Sequence, residues 1–232
     1  MLILLLGFGA GALSTVAGMG GGMFLVLTLS LVSDALTAIA VSAPALLFAN
    51  VHRTWLYRAS LDRRVAGAFI LGTVPAALLG GLAAVSLPSG VLPWILLGVA
   101  LLAVARGLGW VRLETGPRSL TPMGAATGGL AAVSGAGLVG PVLFAVGLRG
   151  DVFIATASAS AIAMHLARMV GYGASGLFDL QSLETVAWLV GGLVAGNLVG
   201  RVLRARIGDR GSTKVGYATM ATLVVLAVAG VS

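Results

Sequence analysis

The sequence predicts an all-α, polytopic membrane protein built from two inverted repeats, each a broken, re-entrant helix pair followed by three transmembrane helices. Three observations carry this. First, 59% of the 232 residues are hydrophobic and only 9% are charged, against about 25% charged in a soluble domain. Mean hydropathy is +1.08. Second, long apolar runs alternate with short clusters of arginine. Third, the chain resembles itself at an offset of 117 residues. A soluble enzyme, a disordered tail and a disulfide scaffold are all excluded by this composition, and the absence of cysteine leaves the redox compartment unread.

Six apolar runs come close to the roughly 20 residues that a helix needs to cross hydrocarbon. They are expected at about 35–57, 65–85, 91–111, 151–174, 182–203 and 213–231. Two further regions, 1–33 and 121–148, are interrupted by glycine-rich breaks, Gly18-Met-Gly-Gly-Gly22 and Ser134-Gly-Ala-Gly-Leu-Val-Gly-Pro141. The apolar piece after each break is about ten residues long, roughly half a bilayer at 1.5 Å per residue. Each region is therefore expected to enter the membrane, break at depth and turn back.

The 117-residue offset aligns Gly11 with Gly128, Leu13 with Leu130, Gly18 with Gly135 and Gly20 with Gly137. It also pairs Asp34 with Asp151 and Asp62 with Asp179, in a chain that has only five Asp. Residues 1–117 and 118–232 are accordingly read as the two repeats of one integral membrane domain. Asp34 and Asp151 stand where long helices begin, which suits N-caps.

Charge fixes how the repeats relate. If both broken regions are re-entrant, the loops near 58–64, 112–120, 149–150 and 204–213 share one side and hold or border 13 of the 14 basic residues. The loops near 34, 86–90 and 175–181 on the other side carry no Lys or Arg. The positive-inside rule then places both termini outside the cytoplasm and the second repeat upside down relative to the first. The net charge of +7 reports this topology; no folded polar domain is present to display a nucleic-acid surface. A signal peptide at residues 1–17 would need a positive n-region, which is absent, so the segment is read as the first arm of the first repeat.

Inverted repeats with helices broken at the midplane point to a secondary transporter, because irregular backbone in a bilayer must line a cavity or lie buried in protein. Breaking the helices frees amides near Gly20–Met23 and Val139–Val142, and helix N-termini attract anions. Pro141 suits the first turn of a half-helix. Gly18, Gly20, Gly21, Gly22 and Met23, with Gly137, Val139 and Gly140, are thus the candidate anion-binding residues. The competing role for these glycines is close helix packing.

The glycine motif Gly18–Gly22, its weaker echo at Gly135–Pro141 and the Asp-led long spans resemble the TauE/SafE family of sulfite exporters, over roughly residues 7 to 229. The second motif departs from the family's compact glycine triplet before proline. The resemblance implies export of small sulfur oxyanions or organosulfonates from the bacterial cytoplasm across the inner membrane, coupled to protons or other ions.

Polar residues inside spans complete the candidates, since ionisable groups in hydrocarbon are costly and usually functional. Arg168, with His165 one turn earlier, offers a guanidinium fork matched to a sulfite or sulfonate group; its bland alternative is snorkelling to the outer interface. His165 is a candidate proton carrier. Asn50 and Asn197 are buried-amide candidates, whereas Arg53 is expected to be a cytoplasmic anchor. Gly173-Ala-Ser-Gly176 matches an intramembrane-protease motif but has no downstream His, and Gly7-Phe-Gly-Ala-Gly11 lacks the strand of a dinucleotide site. No catalytic residue, cofactor or metal is implied. An anion channel and a non-transporting accessory protein remain as alternatives at this stage, and the oligomeric state is unread.

Overall fold

The computed structural model describes residues 1–84, 117–135, 139–178 and 182–229, with a few isolated positions between 86 and 110. The described residues are helical and contain no strand. The helices are α1 (Leu2–Val16), α2 (Gly21–Ser30), α3 (Ala35–Leu56), α4 (Arg63–Ala84), α5 (Leu120–Ser134), α6 (Val139–Ala145), α7 (Gly150–Ala174) and α8 (Leu183–Ala229). By length and composition α3, α4, α7 and α8 can cross a membrane. The expected spans at 35–57, 65–85 and 151–174 are met within two residues. Those at 182–203 and 213–231 fall in two helical segments of α8, separated by a kink at Gly208, whose backbone leaves helical geometry (φ 66°, ψ −176°). The expected span at 91–111 lies outside the described residues.

Both glycine breaks interrupt helix. Between α1 and α2 the backbone turns through Gly18 (φ 74°) and Gly20 (φ 85°), a left-handed conformation that glycine alone adopts at low cost. α2 then doubles back along α1: Gly21 lies against Ala10 and Ser14, and Gly9 against Phe24. α5 ends at Gly135 (φ 71°) and α6 begins at Val139.

Close backbone contacts tie the first half of the chain to the second. A Cβ at Gly7 or Gly11 of α1 would strike the backbone of Leu189 and Leu193 on α8, and one at Gly192 or Gly200 would strike α1 at Leu4 and Ala12. The same pattern joins α5 to α4. A Cβ at Gly124 or Gly128 would strike Phe69 and Thr73, and one at Gly72 or Gly80 would strike Thr121 and Gly129. The α1 and α5 positions differ by 117, the offset found in the sequence. Small residues let membrane helices approach this closely, where packing replaces the hydrophobic effect as the driving force. In both pairs the helices run parallel.

α3 and α7, which occupy equivalent places in the two halves, pack antiparallel. Arg53 near the end of α3 meets Ser158 near the start of α7, while Ala40, Val41 and Pro44 share a pocket with Met169. One end of the bundle accordingly gathers Tyr57, Ser60, Asp151, Arg201, Arg204 and Asp209 around an open recess of about 420 Å³.

Two N-caps were expected. Asp34 accepts from the Thr37 amide at 2.9 Å and caps α3. Asp151 does not cap α7. That helix begins one residue earlier, at Gly150, with Arg149 as N-cap, so Asp151 falls in the first turn. There a carboxylate still complements the helix dipole, and it lies 3.6 Å from Arg204 Nε.

Candidate functional site

The first bond of α2 runs from Phe24 N to Gly20 O at 2.8 Å. The amides of Gly21, Gly22 and Met23 therefore have no acceptor within the helix. This N-terminus borders a cavity of about 50 Å³ enclosed by both glycine breaks and by α3 and α7. Gly18, Gly20 and Gly22 line it from the first half, Val139 and Gly140 from the second, and Asn50 and His165 from the long helices.

The cation in this cavity is Arg53, which was expected at the cytoplasmic interface. Only 9% of it is exposed. The residue does lie in the last turn of α3, but α7 covers that turn, so the side chain is held inside the protein. Its Nε donates to Ser158 Oγ at 2.6 Å and its Nη2 to Asn50 Oδ1 at 2.5 Å. Asn50 in turn donates through Nδ2 to Leu46 O at 2.7 Å. The ion pairs found among the described residues both belong to Arg204, with Asp151 and Asp209. Arg53 is thus a buried guanidinium held by neutral groups, without a carboxylate among the described residues. Buried charges are normally paired, so this one is poised for an anion.

His165 is 3% exposed, and its Nδ1 has no hydrogen-bond partner among the described residues.

The other expected residues lie off the cavity. Gly21 is buried against Ser14 and Ala10 of α1; its small size serves the hairpin. Met23 packs with Val26, Ile39 and Leu223 in the core. Asn197 ties three helices together, accepting from Thr15 Oγ1 at 2.9 Å and donating to Ala49 O at 3.0 Å. Gly137 lies outside the described residues.

Arg168 neither lines the cavity nor snorkels. It is fully buried, and its Nη1 donates to Ala131 O at 3.3 Å and Gly135 O at 3.1 Å. These are carbonyls at the C-terminus of α5, where a cation is favoured by the helix dipole. Its Nε and Nη2 have no hydrogen-bond partner among the described residues, and its guanidinium lies 5.9 Å from the centre of the Tyr172 ring. Arg204 treats the other broken helix alike, donating from Nη1 to Val16 O at 3.0 Å.

A buried cation, a free helix N-terminus and paired glycine breaks fit the binding of a small anion. The chain matches the family described as Sulfite exporter TauE/SafE over residues 3–230. It belongs to that family. No curated protein and no solved structure matches it. TauE/SafE membership, with the apolar helices, implies an integral membrane exporter of sulfite or a related sulfur anion. Residues of both glycine-rich segments share the cavity wall with residues of α3 and α7. Arg53, expected as an anchor, and Ser14 are polar cavity-lining groups that sequence reasoning did not place in the site, and Ser158 holds Arg53 from behind the wall. The signal that could have found Arg53 is its i, i+3 spacing from Asn50 on one helix face.

Proposed function

We propose that this TauE/SafE member moves a compact sulfur oxyanion, sulfite in preference to long-tailed organosulfonates, by alternating access across the bacterial cytoplasmic membrane. The anion is held between Arg53, the Gly22 amide at the start of α2, and Val139 and Gly140 of α6. The observation that carries this is the unpaired guanidinium of Arg53 on a cavity bordered by a helix N-terminus. The cavity, about 50 Å³, is far below the roughly 300–1,000 Å³ of a drug-sized site, which favours sulfite over sulfoacetate.

The two halves are related as inverted repeats in this reading, with both termini outside. Its support is the antiparallel packing of α3 against α7 together with the two equivalent parallel pairs, α1 with α8 and α4 with α5. Transport proceeds by rocking one half against the other about the cavity, and the arginine-rich end faces the cytoplasm.

Counterflow of labelled sulfite in proteoliposomes tests the proposal. Wild type should show saturable counterflow that Arg53→Gln abolishes. Conduction without saturation or counterflow would replace the carrier with a channel. No flux of any anion from folded protein would leave a non-transporting accessory protein.

A further inference from the structure

The cavity holds one fixed positive charge and one latent one. Arg53 can neutralise a single negative charge. Sulfite and sulfate as dianions bring two. The other ionisable side chain on the cavity wall is His165, buried, with Nδ1 unpartnered among the described residues. In the neutral tautomer protonated on Nε2, that Nδ1 presents a lone pair and no proton. The charged groups facing it are Arg53 from α3 and, on its own helix one turn on, Arg168. From α1, the break after it, α2 and α6 the wall presents Ser14, Met19, Val139 and glycines. An imidazolium beside two guanidinium groups is a like-charge cluster, and it becomes favourable when an anion occupies the cavity that His165 shares with Arg53.

Building on the anion site proposed above, we infer that His165 is a proton-binding site coupled to the anion. A divalent oxyanion binds with one proton, which forms an N–H bond at Nδ1, and a monovalent sulfonate binds with none. The proton comes from bulk water on the side where the anion enters and leaves with the anion on the other side. Coupling is reciprocal, so the anion raises proton affinity by the factor by which the proton raises anion affinity. A dianion accompanied by its proton carries the same net charge across the membrane as a monosulfonate alone.

The test measures binding and proton uptake together, on the full chain in weakly buffered detergent solution at pH 8. The probes are sulfite, sulfate and the permanently monovalent methanesulfonate. Wild type should take up roughly one proton per sulfite or sulfate bound and none per methanesulfonate, and its apparent Kd for sulfate should rise by up to about tenfold per pH unit on the alkaline side. His165→Gln, with its folding checked by thermal midpoint and size-exclusion profile, should lose proton uptake and the pH dependence for sulfate. Uptake that persists in His165→Gln places the proton elsewhere, on the sulfite itself or another group, and overturns the inference. So does anion binding to wild type with no proton uptake, a result that needs no variant and leaves the anion site standing. Failure of wild type to bind any of the three anions removes the anion site itself and the inference with it.

Discussion

Arg53 Nε and Ser158 Oγ lie 2.6 Å apart, joining α3 in the first half of the chain to α7 in the second. The bond is local chemistry with a global consequence. A guanidinium that would otherwise reach toward water is turned into the protein, and Asn50 fixes the other edge of its fork. The positive charge therefore sits at the junction that must open and close if the halves rock.

Arg53→Gln should abolish saturable sulfite counterflow. Removing one member of a buried, hydrogen-bonded charge pair typically costs about 2–5 kcal/mol of binding. Arg53→Lys keeps the charge but loses the planar fork that engages Ser158 and Asn50 together. It should retain flux with a raised KM, and Ser158→Ala should raise KM less. Initial rates over a range of sulfite concentrations separate the three variants, and equal KM in all of them would remove Arg53 from the site.

Gly21 and Gly22 are neighbours with opposite expected behaviour. A Cβ at Gly21 would strike Ser14 Oγ and Ala10 O, whereas one at Gly22 would meet only Leu46, at 3.4 Å and 3.8 Å. Gly21→Ala should overpack the α1–α2 hairpin and cost about 1–3 kcal/mol, seen as a lower Tm in a thermal-shift assay. Gly22→Ala should leave the Tm near wild type and lower sulfite flux, because the added methyl narrows the cavity wall. A glycine tract in a sequence thus mixes packing and site residues, and only the neighbour across the gap tells them apart.

The same distinction explains what was legible beforehand. Helix positions follow from apolar run length, and the breaks follow from clustered glycine, so α2, α3, α4 and α7 lie where hydropathy puts them. Gly18, Gly20, Gly22, Asn50, Val139, Gly140 and His165 come together on one cavity. Arg53 was misplaced because position along a span gives depth and says nothing of which helix covers it. Arg168 and Asn197 are rare polar residues at depth, which makes them candidates by cost, yet α5 carbonyls take the Nη1 of Arg168 and a hydroxyl and a carbonyl of neighbouring helices take the Asn197 amide. Satisfaction by a partner far away in sequence is invisible in one dimension.

Asp34 lies outside the spans and supplies a pH-dependent term. The hydroxyl and amide of Thr37 hold its carboxyl below the usual carboxylate range. A carboxyl lowered in the folded state stabilises fully above its unfolded value of about 3.9 and loses that contribution as pH falls through the folded value. Asp34→Ala should cost about 0.5–2 kcal/mol at neutral pH. Asp34→Asn keeps a capping oxygen and should remove the acid-side slope contributed by this group. Thermal midpoints of the variants between pH 3 and pH 7 check both statements.

Arg168 distinguishes a structural guanidinium from a binding one. Its Nη1 bonds close the C-terminus of α5 at Ala131 and Gly135, and its side chain is fully buried away from the cavity wall. Arg168→Met fills similar volume with no donor, so the two carbonyls lose their partner at about 1–3 kcal/mol for the unsatisfied groups. Asn197→Leu should do the same to the junction of α1, α3 and α8, since Thr15 and the Ala49 carbonyl both depend on that amide. Both variants should lower the Tm while the folded fraction keeps a wild-type KM for sulfite, the reverse of the pattern expected for Gly22→Ala. A KM that rises in Arg168→Met with an unchanged Tm would move this arginine into the anion site, because only an interaction made with the ligand changes affinity without changing stability.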